Sequence, residues 1–487
     1  MPVLADRGSA PIGRCDQGRV LRDLSSCDGA ATLPQDSSPF LRRGMAASTV
    51  WITLMAVSIE VMAMSVTLPA IATAFQASPA AVIWVVKANQ LGTLLTLLPF
   101  SALGERFGYR RVYNAGLLLY LVAALGCLMA PSLTLLIMCR MMQGVGLSGV
   151  VSVNGALIRH IFPHDRLARA FATNAVIIAV FGAAGPSVAS LLIAIASWRW
   201  IFLLSAPLCG LALLLGLRSL PDNARCSSYD WVSAAFYAGT LGMLFLGTEL
   251  VHLSAAPMLL FMTFAAGSAC GIALFARALN QPSPLVPIDL LRTRLFLLSI
   301  ITSVAAFSAQ TLAFISLPFL LSGAMHIAPI EIGPLMMTWP VAVACAAPLA
   351  GLLTGRVATA TLAGAGLALM ATGLALILCL DLHPTLPDIA WCLALCGFGF
   401  GFFQTPNNHA LLASAPIERA GAAAGMQAVA RHLGQIAGAS IASVAFSLAP
   451  DQPFLAVAIA TGVGGLGAAT SLSRRLTRGR ALPLELA

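Results

Sequence analysis

Two long apolar segments are joined by the stretch Ser101-Ala102-Leu103-Gly104-Glu105-Arg106-Phe107-Gly108-Tyr109-Arg110-Arg111. The stretch combines small residues, one acid, a glycine suited to a turn and three arginines. Hydropathy on both sides predicts a tight loop at a membrane surface, with one spanning helix before it and another after it. This charged turn between two spans decides the fold class, and later motifs narrow it.

The composition of the chain is that of a membrane protein. Of its 487 residues, 59% are hydrophobic and 9% are charged, whereas a soluble domain carries about 25% charged residues. Apolar stretches of about 20 residues, each long enough to cross a bilayer as a helix, recur along the chain. We therefore exclude a soluble globule and predict an all-α polytopic membrane protein. The 11 cysteines are scattered and indicate no disulfide framework.

The net charge of +9 comes almost entirely from arginine, because Lys87 is the only lysine among the 27 basic residues. Most of the arginines after residue 44 lie in one set of alternate short loops and in the C-terminal tail, whereas the other set of loops holds only Arg199. That distribution is typical of cytoplasmic loops and does not form the stripe expected of a nucleic-acid-binding protein. We predict fourteen spans, with both termini in the cytoplasm and the protein in the inner membrane.

The chain also repeats itself. Gly144-Val145-Gly146 matches Gly397-Phe398-Gly399, and Asn154 matches Asn407 at the same offset. The repeat predicts two six-helix halves with a substrate path between them. The predicted domains are an N-terminal bundle at 45–220, two extra linker helices at 221–290, a C-terminal bundle at 291–473 and a cytoplasmic tail at 474–487. Residues 1–44 are predicted to be a disordered cytoplasmic tail, or sequence upstream of a start at Met45.

Several motifs, taken in order, resemble those of the major facilitator superfamily, and specifically its fourteen-span drug:proton antiporter branch. The stretch at 101–111 is similar to the family's loop motif, with Ser101 and Glu105 in place of the usual Gly and Asp. The run 137–146 resembles the fourth-helix motif, and 181–186 resembles the antiporter motif of helix five. The resemblance implies the major facilitator fold and proton-driven export.

The resemblance also implies roles for two sets of residues. The loop motif would latch the two halves at the cytoplasmic face and gate alternation, whereas the simpler alternative is that its charges only set topology; its members are Ser101, Glu105, Arg106, Gly108, Arg110 and Arg111. The antiporter motif, Gly182, Gly185 and Pro186, would bend helix five and allow tight packing. Generic helix packing is the alternative for these three residues.

Glu60 and Arg140 are the candidate proton-coupling residues. Glu60 lies in the first span, eight residues before Leu68-Pro69, and the resemblance implicates Arg140 in coupling. Burial favours the neutral form of a carboxylic acid, whereas a neighbouring arginine favours the charged form. A Glu60–Arg140 pair that forms in one state and breaks in another would act as a proton switch. A purely structural ion pair is the alternative.

Polar residues inside the spans are candidates for a substrate cavity: Lys87, Asn89, Asn154, Gln404 and Asn407. The amides could equally join helices, and Lys87 is more often expected to extend to the membrane interface. If Lys87 faces the cavity, the excess of basic groups favours neutral, monocationic or weakly anionic substrates.

The sequence contains no phosphate-binding P-loop, no catalytic cluster and no metal-ligand constellation. We therefore expect no enzyme activity and no cofactor, with the proton as the coupling ion. The predicted function is a proton-coupled antiporter that exports small amphipathic compounds or drugs; the alternative is a metabolite or siderophore carrier on the same fold. We expect a functional monomer whose partners are its substrate and the lipid bilayer. A periplasmic adaptor with an outer-membrane channel stays open as a further partner.

Overall fold

A computed structural model describes residues 39–222, 229–252, 256–281, 284–381, 383–416, 419–449 and 452–478. These residues form fourteen long helices joined by short connections, as predicted. The helices are α1 (Pro39–Phe75), α2 (Trp84–Phe107), α3 (Tyr109–Met129), α4 (Leu133–Ile161), α5 (Leu167–Ile195), α6 (Trp200–Ser219), α7 (Trp231–His252), α8 (Pro257–Leu279), α9 (Arg294–Phe319), α10 (Pro329–Leu353), α11 (Thr359–Leu378), α12 (Leu386–Ala413), α13 (Ala420–Leu448) and α14 (Pro453–Arg478).

Thirteen of these helices are long and apolar enough to cross a membrane, among the residues that the structure describes. The remaining long helix, α13, has 29 residues, or about 43 Å at about 1.5 Å per residue, which exceeds a hydrocarbon core of about 30 Å. Its lower hydropathy comes from polar residues in its middle: Gln427, Arg431, His432 and Gln435. It packs extensively along α9, so α13 completes the predicted set of fourteen.

Three helix ends differ from the predictions. Helix α1 begins at Pro39, six residues inside the predicted 1–44 tail, of which 1–38 lie outside the described residues. Helix α2 continues through Phe107, so the predicted tight loop is reduced to Gly108, whose φ of 103° favours glycine. Helix α14 continues to Arg478, into the predicted tail at 474–487, whose last nine residues lie outside the described part.

The internal repeat is visible in how closely the helices approach. A Cβ on Gly144 would lie 2.0 Å from the carbonyl oxygen of Asn89, and one on Gly397 would lie 2.1 Å from that of Trp339. Each of these glycines therefore lets the fourth helix of its half touch the backbone of the second. Glycine is sterically required at both places, which explains why the sequence repeat is strongest there.

The largest apolar cluster that the two halves share lies at one end of the bundle, and a smaller cluster joins α2 to α13. We call the end of the bundle that carries Arg106, Arg111 and Arg419 the basic end. At the opposite end one apolar cluster contains residues of both halves, such as Leu68 of α1 and Leu335 of α10. At the basic end, α1 to α6 form a cluster of their own. The two halves thus share a core at the opposite end.

Helices α7 and α8 pack against each other and lie beside α2. The hydroxyl of Tyr237 in α7 donates to the carbonyl oxygen of Leu94 in α2 at 2.9 Å. At the basic end, Asp230 accepts hydrogen bonds from the backbone and side chain of Ser233, from Arg277 at 3.2 Å and from Gln281. These contacts join the start of α7 to the end of α8, so the extra pair is a unit docked on the first half.

Candidate functional site

The carboxylate of Glu60 lies near the middle of α1 and is 1% exposed. Arg140 Nη1 donates to its Oε1 at 2.8 Å, and Gln143 Nε2 donates to the same oxygen at 2.6 Å. The hydroxyl of Tyr120 donates to Oε2 at 2.9 Å. Three donors from α3 and α4 therefore hold one buried acid of α1, and the two predicted coupling residues are in direct contact.

Arg140 is itself fixed by its surroundings. Its Nε donates to the carbonyl oxygen of Val85 at 3.2 Å, and Nη1 also donates to Gln143 Oε1 at 2.7 Å. The ring of Phe202 lies 5.9 Å from the guanidinium. Because a buried charge is tolerated only when it is paired and hydrogen-bonded, this network accounts for an arginine that is 3% exposed. Any change in the charge of Glu60 must disturb all of these contacts.

Among its described residues, the second half has no equivalent of this network. The repeat offset places Leu393 where the first half has Arg140, and Cys396 where it has Gln143. Gly116 and Tyr120 of α3 lie against Gly146 as Gly366 and Met370 lie against Gly399, so the counterpart of Tyr120 is Met370. The backbone packing is therefore repeated, whereas the polar groups occur in the first half alone.

The residues of the predicted antiporter motif lie beside this network. A Cβ on Gly185 would lie 2.7 Å from the carbonyl oxygen of Ile59, so α5 touches the backbone of α1 next to Glu60. On its other side α5 meets the second half, since a Cβ on Gly333 of α10 would lie 2.4 Å from the carbonyl oxygen of Pro186. Gly182 makes only ordinary contact with α1. Helix α5 thus connects the acid of the first half to the second half.

A sequence model of the Major Facilitator Superfamily matches residues 50–439. The chain belongs to the Major Facilitator Superfamily. An Escherichia coli protein described as the uncharacterized transporter YebQ is 40% identical over 454 residues, which cover 91% of this chain and 98% of that protein. The predicted fold and superfamily are confirmed, and the chain is a multi-pass membrane protein of a transporter family. Its place in the fourteen-span drug:proton antiporter branch stays a prediction.

More distant relatives carry different descriptions. Riboflavin transporter RibZ of Clostridioides difficile is 25% identical, with 79% of this chain and 85% of that protein covered. Multidrug resistance protein Stp of Mycobacterium tuberculosis is 27% identical, with 80% and 73% covered. A crystal structure of a POT family transporter with a thioalcohol conjugated peptide matches 91% of this chain and 96% of that chain, with a TM-score of 0.68 and 13% identity. That structural likeness concerns the fold alone.

The stretch 101–111, for which a gating role is predicted and which we call the gating stretch, lies at the basic end. Arg110 donates to the carbonyl oxygen of Leu217 and forms a 3.4 Å ion pair with Asp222, both near the end of α6. Glu105 and Arg106 are exposed, as is Arg111, and Ser101 is half-buried. Within the described part of the chain, Glu105 forms no hydrogen bond or ion pair. In this conformation the contacts of Arg110 stay within the first half, and the gating role stays a prediction.

Lys87 does not extend to the membrane interface, so that expectation was wrong. It is fully buried and forms an ion pair with Glu249 of α7. Its ammonium group lies 4.3 Å from the centre of the Trp84 ring, and the carboxylate of Glu249 accepts from Ser440 of α13 at 3.2 Å. The pair neutralises Lys87 and fills the site with protein groups. Lys87 therefore offers no free charge to a substrate in this conformation.

The other predicted cavity residues have varied surroundings. Asn89 donates to the carbonyl oxygen of Arg140 at 3.4 Å, and Asn407 accepts from Arg474 at 2.8 Å. Asn154 and Gln404 are half-buried, and Asn154 Oδ1 has no hydrogen-bond partner among the described residues. Asn89 and Asn407 thus join helices here, and the structure does not gather the predicted set into one site.

Arg474 was assigned by its sequence position to the cytoplasmic tail, but it is a buried residue of α14. It is 1% exposed, and it donates to Ser299, Asn407 and Ser471. Sequence reasoning also missed Tyr120, which binds Glu60, and the pairing of Glu249. Apart from Ser471, which shares α14 with Arg474, each partner lies on a different helix from the group it contacts. Spacing within one helix could not have revealed those contacts.

Proposed function

We propose that this major facilitator is a proton-coupled secondary transporter that exports small amphipathic compounds from the cytoplasm across the inner membrane. The single observation that carries the proposal is the buried Glu60–Arg140 pair. A buried acid inside a membrane span is expected in a transporter that exchanges protons. The relatives described as multidrug resistance and drug efflux proteins support export as the direction.

The chemistry of the proposed coupling step follows from the contacts of Glu60. When a proton binds the carboxylate, the acid loses its negative charge and its attraction to Arg140 falls. The guanidinium is then left without its counter-charge in a low-dielectric site, which is costly. The cost is relieved if α1, α4 and α5 shift relative to one another. Because α5 also contacts α10, such a shift would be transmitted to the second half.

The proposed orientation follows from the arginines. The basic end would face the cytoplasm, because short cytoplasmic loops are enriched in Lys and Arg. The shared core at the opposite end then closes the path to the outside. This conformation would correspond to a transporter that receives its substrate from the cytoplasm. The gating stretch would act in the other conformation, in which the basic end closes.

A metabolite carrier on the same fold is the second candidate. The observation that favours it is the similarity to a protein described as a riboflavin transporter. Both candidates use secondary transport, so they differ in the substrate and not in the coupling site. A substrate panel that includes flavins and amphipathic dyes separates them.

Transport by purified protein in proton-loaded vesicles tests the proposal. Dye movement and internal pH are recorded for the wild type, Glu60→Gln and Glu331→Gln. Glu331 is a half-buried acid at the start of α10, at the opposite end, and serves as a matched control. We expect Glu60→Gln to abolish proton-driven transport while Glu331→Gln keeps it. Wild-type-like proton-driven transport by a folded Glu60→Gln variant would overturn the proposed role.

A further inference from the structure

The middle of α13 carries an unusual group of polar side chains. Arg431, His432 and Gln435 follow one another within two helical turns of a membrane helix. His432 is 7% exposed, and its Nδ1 lies 2.8 Å from Oε1 of Gln90 in α2. This contact crosses from the second half to the first. The group therefore lies where the two halves meet.

The neighbours of α13 show which way Arg431 faces. Gly434 and Gly438 lie against the backbone of α9, whereas His432 faces α2. Leu433 is 38% exposed on the outer surface. At about 100° per residue, Arg431 and Gln435 fall between the α9 and α2 faces and opposite Leu433. Because α9 belongs to one half and α2 to the other, Arg431 and Gln435 face the space between the halves.

Accessibility along this face changes at Gln435. Ala424 is exposed, and Arg431 and Gln435 are half-buried. Further along the same face, Ala442 and Phe446 are 0% and 3% exposed, inside the core that the halves share. Side chains on this face are therefore accessible towards the basic end and buried beyond Gln435. A solute approaching from the basic end would meet Arg431 before the buried part of this face.

The charge of Arg431 is unbalanced within the described part of the chain. The two acids buried among the helices are already paired, Glu60 with Arg140 and Glu249 with Lys87. Arg431 forms no hydrogen bond or ion pair with any described residue. An uncompensated arginine in a membrane protein indicates a missing partner.

We propose that Arg431, together with Gln435, binds the anionic group of an amphipathic substrate: a carboxylate, sulfonate or phosphate. The inference rests on the proposed transport function and names its substrate class. A guanidinium binds such groups through two parallel hydrogen bonds. The amide nitrogen of Gln435 supplies a further donor beside it. The site thus selects anions, whereas the sequence had offered Lys87 as a cavity charge that favours neutral, monocationic or weakly anionic substrates.

Binding is tested separately from transport. The full-length protein is placed in nanodiscs of phosphatidylcholine, and anisotropy is measured with carboxyfluorescein as the anionic probe and rhodamine 6G as the cationic probe. The variants are Arg431→Gln, Arg431→Lys and Arg294→Gln. The last is the control, because Arg294 is exposed at the basic end and its replacement removes one positive charge away from the proposed site. We expect Arg431→Gln to weaken carboxyfluorescein binding at least tenfold. Arg431→Lys should keep only part of it, because an ammonium group retains the charge but not the two parallel hydrogen bonds. Arg294→Gln should match the wild type.

Each outcome decides the inference. Equal carboxyfluorescein affinity in the wild type and a folded Arg431→Gln variant would overturn it, as would a wild type that binds only rhodamine 6G. If Arg431→Gln loses anion binding but the wild type shows no proton-linked transport, the anion site is supported and the proposed function is contradicted. Phosphatidylglycerol added to the nanodiscs distinguishes a lipid phosphate from a soluble anion as the ligand. If it displaces carboxyfluorescein from the wild type but not from Arg431→Gln, a lipid phosphate occupies the same anion site.

Discussion

Lys87 of α2 and Glu249 of α7 form a buried ion pair that ties an extra helix to the first half of the transporter. Glu249 also accepts a hydrogen bond from Ser440 of α13, in the second half. One carboxylate therefore contacts both halves. This arrangement gives the extra helices a role in holding the seam between α2 and α13.

Removing one member of this pair should be more damaging than removing both. Lys87→Met leaves an unpaired carboxylate in a buried site, and Glu249→Leu leaves an unpaired ammonium group, each at a cost of about 3–5 kcal/mol. The double variant leaves no isolated charge. We expect its melting temperature in detergent to lie above those of both single variants. Additive losses in the double variant would show that the two charges do not depend on each other.

The contact between Gly333 and Pro186 should control the closed state at the opposite end. A side chain at Gly333 must push α10 away from α5, because its Cβ would meet a backbone carbonyl. Gly333→Ala should therefore lengthen the distance between spin labels at Ile195 and Ile330, which are exposed near the ends of α5 and α10. Gly351→Ala is the control, since nothing lies within 4 Å of a Cβ there. Identical distance distributions for both variants would refute this account.

Asp230 should stabilise the extra helix pair in a pH-dependent way. Partial burial opposes its charge, but hydrogen bonds from Ser233, Gln281 and Arg277 prevail and hold the pKa of Asp230 below its ordinary value of 3.8. A lowered pKa stabilises the fold above the ordinary value, and the stabilisation is lost as the pH falls below it. Asp230→Asn should thus lower the melting temperature at pH 7 by a few degrees.

The difference between wild type and Asp230→Asn should narrow as the pH is lowered below about 4. Asp165→Asn is the control, because the side chain of Asp165 is 73% exposed and its ion pair with Arg166 is 3.8 Å long. If the difference in melting temperature between the wild type and Asp230→Asn does not change with pH, the charge of Asp230 is not the source of the stabilisation.

Much of the architecture was predictable because the bilayer restricts the choices. Apolar stretches fix the helices, and the offset between Gly144 and Gly397 fixes the two halves. The same glycines then turn out to be the points of closest backbone approach. The position of Glu60 inside a span was sufficient to nominate it. Its contact with Arg140 agrees with the hypothesis, although proton coupling itself stays a prediction.

The errors share a physical cause. Lys87 and Arg474 were judged from their distance to a helix end, as if lipid or water were their only surroundings. The partners that bury them lie on other helices, since Glu249 belongs to the extra pair and Asn407 to α12. A charge near a helix end can reach water or a neighbouring helix. Only the three-dimensional arrangement decides between the two.

The docking of α7 and α8 on one side has a consequence for solutes that dissolve in the lipid. Tyr237 and Glu249 attach α7 to α2, and Ser440 brings α13 to the same carboxylate. Helix α7 thereby covers the seam between α2 and α13. Lateral passage from the bilayer into the central space is obstructed on that side. Within the described part of the chain, the lateral route between α5 and α10 is closed by the close packing of those two helices alone. The two lateral routes for membrane-dissolved molecules are therefore unequal.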